Sequence, residues 1–174
     1  MYFNNFIVLL VLISNVKIFT QSNFKFSTDI NITLANGLAI NKIAGNLDFG
    51  EIIYNGSAMT LSRSANEGVE FEVTGGRLRS VTVTFPNMIN LNNYNWVNMN
   101  GGKNGSISFT PIVERSGGFL GFLFPKTVTS GSSHILDFGN AFGNLFLWVG
   151  GTLNINQNQP IGTYNGTFTI TIAY

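Results

Sequence analysis

Residues 162–174, GTYNGTFTITIAY, decide the fold class of this chain. Apart from Gly166, apolar and polar side chains alternate here with a period of two, which indicates a β-strand buried on one face. Such a strand needs another layer to cover it, and its backbone would attract a further strand if one edge stayed unpaired. The apolar side, which we interpret as a possible edge-strand face, consists of Tyr164, Phe168, Ile170, Ile172 and Tyr174.

A second one-sided strand is predicted near the beginning of the chain, in FKFSTDINITL, residues 24–34. This pattern suits a donor strand that adds to another strand main chain to main chain. Burying four or five such side chains, at about 1.5–3 kcal/mol each, favours pairing over leaving the segment free. The pattern leaves open whether the strand closes its own domain or that of a neighbouring molecule. The possible strand-donor face consists of Phe24, Phe26, Ile30, Ile32 and Leu34.

The sequence between these strands continues the alternation. It recurs in GVEFEVTGG (68–76), SVTVTFP (80–86) and NLFLWVGG (144–151), and clusters of Gly and Asn interrupt it. Short alternating segments separated by turn residues are typical of an all-β fold. We therefore predict a single antiparallel β-sandwich, Ig-like or pilin-like, formed by residues 23–174.

Four local predictions accompany this fold. Residues 47–62 should form two short paired strands, and the apolar segment GGFLGFLFP (117–125) should form a strand buried on both faces. The Asn-rich residues 87–105 predict a long loop or an irregular edge hairpin, with no amphipathic helix. Gly150 and Gly151 predict a bulge or a sharp bend.

The N-terminal residues 1–22 are interpreted as a signal peptide. Their apolar run is too short to span a bilayer but has the length of a signal-peptide core. We therefore expect an exported protein, located in the periplasm, at the cell surface or outside the cell, with no stable membrane span in the mature chain.

Composition removes several classes of function. Nine Lys and Arg residues balance eight Asp and Glu residues, so the chain lacks the basic surplus that nucleic acids require. Cysteine is absent, which excludes disulfides, thiol catalysis and Cys-ligated metals. His134 is the only histidine, and no nucleophile motif accompanies it. We predict no catalytic residues, no metal site and no cofactor.

Two groups of residues could still contact a ligand. Glu67, Glu70 and Glu72 form the densest group of carboxylates, but a solvated sheet face explains them better than a cation site does. Tyr94 and Trp96 lie in the Asn-rich segment and form a possible ligand-binding loop, because exposed aromatic rings stack on sugars. The alternative is that they anchor this loop.

The segments LDFGEII, VEFEVTGG, VTVTFP and LWVGGTLNINQNQPIGTYNGTFTITIAY resemble the exported bacterial proteins grouped as domain of unknown function 4402. Members of this family are similar to the β-sandwich subunits of chaperone-usher pili. The resemblance covers about residues 47–174. It implies a noncatalytic structural or adhesive subunit of a cell-surface or pilus-like assembly, in which terminal strands could provide self-association. The alternative is a monomeric secreted module that binds a glycan or a host surface. An enzyme is the third hypothesis.

Overall fold

The computed structural model describes residues 26–33, 37–116, 121–138 and 142–174. The predicted signal peptide, residues 1–22, lies outside these ranges. Strands dominate the described residues, and most of them pair in antiparallel fashion, so the all-β prediction is confirmed. The strands are β1 (Phe26–Thr33), β2 (Ala39–Gly45), β3 (Met59–Arg63), β4 (Val69–Gly75), β5 (Ser80–Thr84), β6 (Ile89–Asn92), β7 (Ser106–Ser116), β8 (Lys126–Thr127), β9 (Ser132–Ile135), β10 (Asp137–Phe138), β11 (Gly143–Ile155) and β12 (Tyr164–Ala173).

One continuous sheet connects these strands in the order β2-β4-β11-β7-β6-β12-β5-β9. Strands β3 and β10 also pair with β11, β8 pairs with β7, and β1 pairs with β12. The pairing of β1 with β12 is parallel, whereas the other pairings are antiparallel. The sheet therefore brings the first described strand onto the last one.

The sheet curves so that its inner faces enclose one core. Phe109 on β7 meets Phe168 on β12 edge to face, with ring centroids 6.3 Å apart. Phe85, immediately after β5, packs against Phe168 with ring centroids 6.0 Å apart. Buried side chains of β4 and of β5, which are distant along the sheet, belong to the same core, so the fold is sandwich-like. The largest fully buried side chains are Tyr164, Phe71, Phe109, Phe168, Leu91, Ile107, Leu136, Leu147, Leu153 and Ile170.

Strand β11 changes its partner at the Gly150-Gly151 pair. One edge pairs with β4 up to Val149 and with β3 from Gly151 onward, while β7 follows the other edge throughout this region. The strand itself runs without interruption through both glycines, and so the predicted bulge is absent. A Cβ at Gly150 would overlap the carbonyl oxygen of Arg63. The glycines are needed for close backbone approach rather than for a bend.

The two short strands predicted within residues 47–62 are wrong. Residues 46–58 form no strand, and only Met59–Arg63 pairs, with β11. Asp48 accepts a hydrogen bond from the Gly50 amide at 2.8 Å, and Asn55 accepts one from the Ser57 amide at 3.0 Å. These local acceptors hold the backbone in turns, which is how Asp and Asn compete with sheet formation.

Two further local predictions are wrong. A short helix, α1 (Tyr94–Asn100), lies in the Asn-rich segment that we expected to be a loop or hairpin. Residues 121–125 form no strand, and Leu123 and Phe124 are 44% and 88% exposed, so this part of the apolar segment is not buried on both faces. Residues 117–120 lie outside the described ranges. Within those ranges, no helix has the length and apolar character needed to cross a membrane.

Candidate functional site

The pairing of β1 with β12 is the first candidate site. The register places Phe26 beside Tyr164, Ile30 beside Phe168 and Ile32 beside Ile170. Phe24 and Leu34, the outer members of the predicted donor face, lie outside the described residues. Strands β6 and β5 pair with β12 at Asn165 and at Thr171–Ala173, which leaves one whole edge of β12 to β1. In the described part of the chain, β12 is the only strand with which β1 pairs.

The proposed edge-strand face of β12 divides into two parts. Tyr164, Phe168, Ile170 and Ile172 are at most 3% exposed, but Tyr174 is 44% exposed. Tyr174 follows the last residue of β12, and its hydroxyl accepts a 2.8 Å hydrogen bond from the Gly76 amide. The guanidinium of Arg79 lies 4.7 Å from the centre of its ring. Tyr174 therefore closes one end of the molecule instead of lining the core.

The other end of the molecule, which we call the tip, consists of α1 and the turn at residues 156–163. Asn93, immediately before α1, is fully buried. Its side-chain amide donates to the carbonyl oxygens of Lys103 and Ile161, both at 3.1 Å, and its side-chain oxygen accepts from the Gly105 amide at 2.7 Å. One buried side chain thereby joins the segment that contains α1 to the turn.

A second buried amide holds the turn against the sheet. Gln159 is 7% exposed, and its side chain donates to the Tyr164 hydroxyl at 2.8 Å and to the Ser106 carbonyl at 3.1 Å. Its backbone amide donates to the Tyr54 hydroxyl at 2.9 Å. Burial raises the pKa of the Tyr164 hydroxyl, while the hydrogen bond from Gln159 opposes this shift. The turn is therefore fixed by polar contacts that are shielded from solvent.

Tyr94 and Trp96 do not form one stacking platform. Two residues apart on a helix, they point about 200° from each other around its axis. The indole of Trp96 lies close to Gly162, where a Cβ would come within 3.0 Å of the ring, and it is only partly exposed. Tyr94 is 51% exposed. Trp96 thus anchors α1 to the turn, and Tyr94 remains free to meet solvent.

The carboxylates lie on the outer face of the sheet. Glu70 and Glu72 alternate with buried residues of β4, and Asn144 donates a 2.6 Å hydrogen bond to Glu72. Burial and the neighbouring charge of Glu72 raise the pKa of Glu70. Hydrogen bonds from the side chain and backbone of Ser64 lower the pKa of Glu67, which lies in a separate turn. In the described ranges, no group of three His, Asp or Glu side chains could hold a metal ion.

Trp148 lies between two carboxylates on this outer face. In the register of the sheet it faces Glu70 on β4 and Glu114 on β7. It is not in the core, because β11 points Leu145, Leu147 and Val149 inward. Phe122 covers its ring edge to face at 5.2 Å.

His134 lies on β9 and is half-buried. Its Nε2 atom is 2.8 Å from the Ser132 hydroxyl. Burial is the larger cause that lowers the pKa of His134, and the positive charge of Arg115 lowers it further. In the Ser-His-Asp arrangement a carboxylate also orients the imidazole ring, and among the described contacts no carboxylate does so for His134.

Asn93 and Gln159 are the positions that sequence reasoning missed. The stretch around Asn93 holds many Asn residues with the same local composition, and alternation does not mark the one that is buried. The sequence signal for Gln159 was the proline that follows it, because a proline restricts the backbone conformation of the residue before it.

Comparison with known proteins identifies the family. No curated protein matches the chain. Residues 18–174 match the family described as Domain of unknown function (DUF4402), which extends the resemblance seen from residue 47 onward to nearly the whole chain. A match over this length shows membership, and the chain belongs to the DUF4402 family.

Proposed function

We propose that this protein is an exported, noncatalytic structural or adhesive subunit of a bacterial cell-surface assembly, and that subunits join by exchanging β1. The supporting observation is the position of β1 at the edge of the sheet. It pairs in register with β12 from Phe26 to Thr33, and the path from β2 to β9 is complete without it.

Exchange of β1 preserves the native contacts. When β1 of one molecule pairs with β12 of the next, the backbone hydrogen bonds between the two strands are the same as in the closed molecule. The closed and the exchanged forms then differ in free energy only through the connection between β1 and β2 and through the entropy of association. Head-to-tail exchange produces filaments if the arrangement does not close on itself.

A disulfide capture experiment tests this proposal. Asp29 and Thr167 are register partners across β1 and β12, and the chain has no native cysteine. We expect that Asp29→Cys protein mixed with Thr167→Cys protein under mild oxidation gives a covalent heterodimer on a non-reducing gel. Heterodimer in excess of that formed by random collision requires β1 of one molecule to lie beside β12 of the other.

The matched control pairs Asp29→Cys with Thr60→Cys, because Thr60 is an exposed residue on β3 and β3 does not pair with β1. A double variant carrying both Asp29→Cys and Thr167→Cys should instead lock the closed monomer by an internal disulfide. The proposal is rejected if the Asp29→Cys and Thr167→Cys mixture gives no more heterodimer than the control and the wild type remains a monomer over the same range of concentration.

A further inference from the structure

We infer that the tip is a binding surface for a neutral glycan, formed jointly by α1 and the turn at residues 156–163. This inference is independent of strand exchange, because the tip residues belong to one molecule whether it is closed or exchanged. It replaces the Tyr94 and Trp96 loop with a surface made from two segments that are distant in sequence.

The tip surface is held rigid before any ligand arrives. Asn93 contributes three hydrogen bonds that connect the two segments, and the ring of Trp96 lies on the backbone at Gly162. Asn100 adds a 2.9 Å hydrogen bond from its side chain to the Trp96 carbonyl oxygen. A preorganised surface loses little conformational entropy on binding, which is valuable for a ligand that makes many weak contacts.

The exposed chemistry of the tip surface is polar but uncharged. The tip itself, residues 94–100 and 156–163, contains no Asp, Glu, Lys, Arg or His, and Lys103 is the nearest charged residue along the chain. Side-chain amides donate and accept hydrogen bonds at the same time, which matches the hydroxyl groups of a sugar. A surface whose nearest charge along the chain is the single Lys103 offers little to pair with a phosphate, a sulfate or an acidic peptide. The exposed amides are those of Asn95, Asn98, Asn100, Asn156, Gln157 and Asn158.

Exposed apolar groups accompany these amides. Met99 is 78% exposed and lies one turn along α1 from Trp96, and Ile161, which precedes Gly162, is 52% exposed. Sugars present apolar C–H faces as well as hydroxyl groups, so a surface with both kinds of contact fits them better than it fits a fully polar ligand. These observations together favour a neutral glycan.

The experiment probes an array of neutral and acidic oligosaccharides with the labelled exported protein. We expect binding to neutral glycans, and we expect Met99→Ser and Ile161→Ser each to weaken it by about tenfold, the usual effect of losing one apolar contact. Neither substitution should unfold the protein, because both side chains are exposed. Circular dichroism of each variant checks this point.

Phe124→Ser is the matched control, because Phe124 is 88% exposed and lies near the opposite end of β7. It should bind like the wild type. Three results overturn the inference: no retention of any neutral glycan, retention of acidic glycans alone, or equal binding by the wild type and by the variant carrying both Met99→Ser and Ile161→Ser. Because none of these results depends on β1, they are distinguishable from failure of strand exchange.

Discussion

At the scale of single residues, burial separates side chains that look alike in the sequence. Asn93 is fully buried with its amide group bonded to three backbone groups, whereas Asn95, two residues later, is exposed. Burial of an amide is tolerable only when its hydrogen bonds are made, and at Asn93 they are. The tip depends on this one position more than on its many other asparagines.

Glu70 gives a prediction about pH. Its pKa is raised by burial and by Glu72, so the folded state holds the Glu70 proton more strongly than the unfolded state, whose pKa is near the ordinary value of 4.5. Both states are protonated well below pH 4.5, and stability is lost as the pH rises from there through the higher pKa of the folded state. We expect Glu70→Gln to raise the melting temperature at pH 7 and to leave it unchanged at pH 3.

The control for this measurement is Glu51→Gln, because Glu51 is exposed and lies outside the strands. Its melting temperature should follow that of the wild type at both pH values. An equal gain in stability for Glu70→Gln at pH 3 and pH 7 would contradict the explanation, since the gain would then not arise from the carboxylate charge.

At the scale of elements, β11 organises the sheet because it changes partner without a break. Gly150 allows this change, since the backbone around Arg63 and Ser64 occupies the place where a Cβ would be. We expect Gly150→Ala to destabilise the protein by about 1–3 kcal/mol, comparable to other substitutions that force atoms into a packed interior. Urea unfolding followed by tryptophan fluorescence would measure it.

Asn154→Ala on the same strand is the comparison, because Asn154 is exposed and its one side-chain contact is a long hydrogen bond from Thr60 at 3.3 Å. It should change stability by less than about 0.5 kcal/mol. If the two variants unfolded at the same urea concentration, backbone crowding at Gly150 would not be what requires a glycine.

The elements also show where sequence reasoning succeeds. Alternation located β4, β5, β11 and β12, because a strand buried on one face must repeat its apolar side chains with a period of two. The same pattern was misleading for residues 47–58, where Asp48, Asn55 and two glycines hold the backbone in turns. It was also misleading for residues 121–125, where Gly121 has a positive φ. Helix α1 escaped prediction because it buries none of its residues and so has no apolar stripe.

The candidate site was predictable to a lesser degree. The backbone partners β1 and β12 carry the two most regular patterns in the chain, and their matching was visible in the residues themselves. The tip could not be predicted in this way, because it depends on contacts between residues that are distant in sequence. Asn93 and Ile161, for example, are separated by 68 positions. Local patterns contain no information about such contacts.

At the scale of the whole molecule, the edge of β12 is a site that a free strand can fill. We expect the protein without residues 23–33 to have a lower melting temperature than the intact chain, because its β12 edge is open. A synthetic peptide of residues 23–34 should bind this truncated protein with one-to-one stoichiometry and restore part of the lost stability. Calorimetry and thermal unfolding with added peptide would measure both effects.

A peptide with Asp in place of Ile30 and Ile32 provides the control, because it keeps the length and the backbone but loses the apolar pattern. It should not bind. If both peptides raised the melting temperature equally, or if neither did, complementation by the pattern of β1 would be refuted.

The parallel direction of β1 and β12 also determines where molecules can be attached to this protein. Phe26 lies beside Tyr164, next to the tip, whereas Tyr174 lies beside Gly37 and Gly76 at the other pole. A fluorescent protein or an affinity tag fused ahead of β1 would therefore stand over the tip surface and obstruct it. The same tag fused after Tyr174 would orient the tip away from a bead or a sensor chip, which makes this position the better handle for immobilisation.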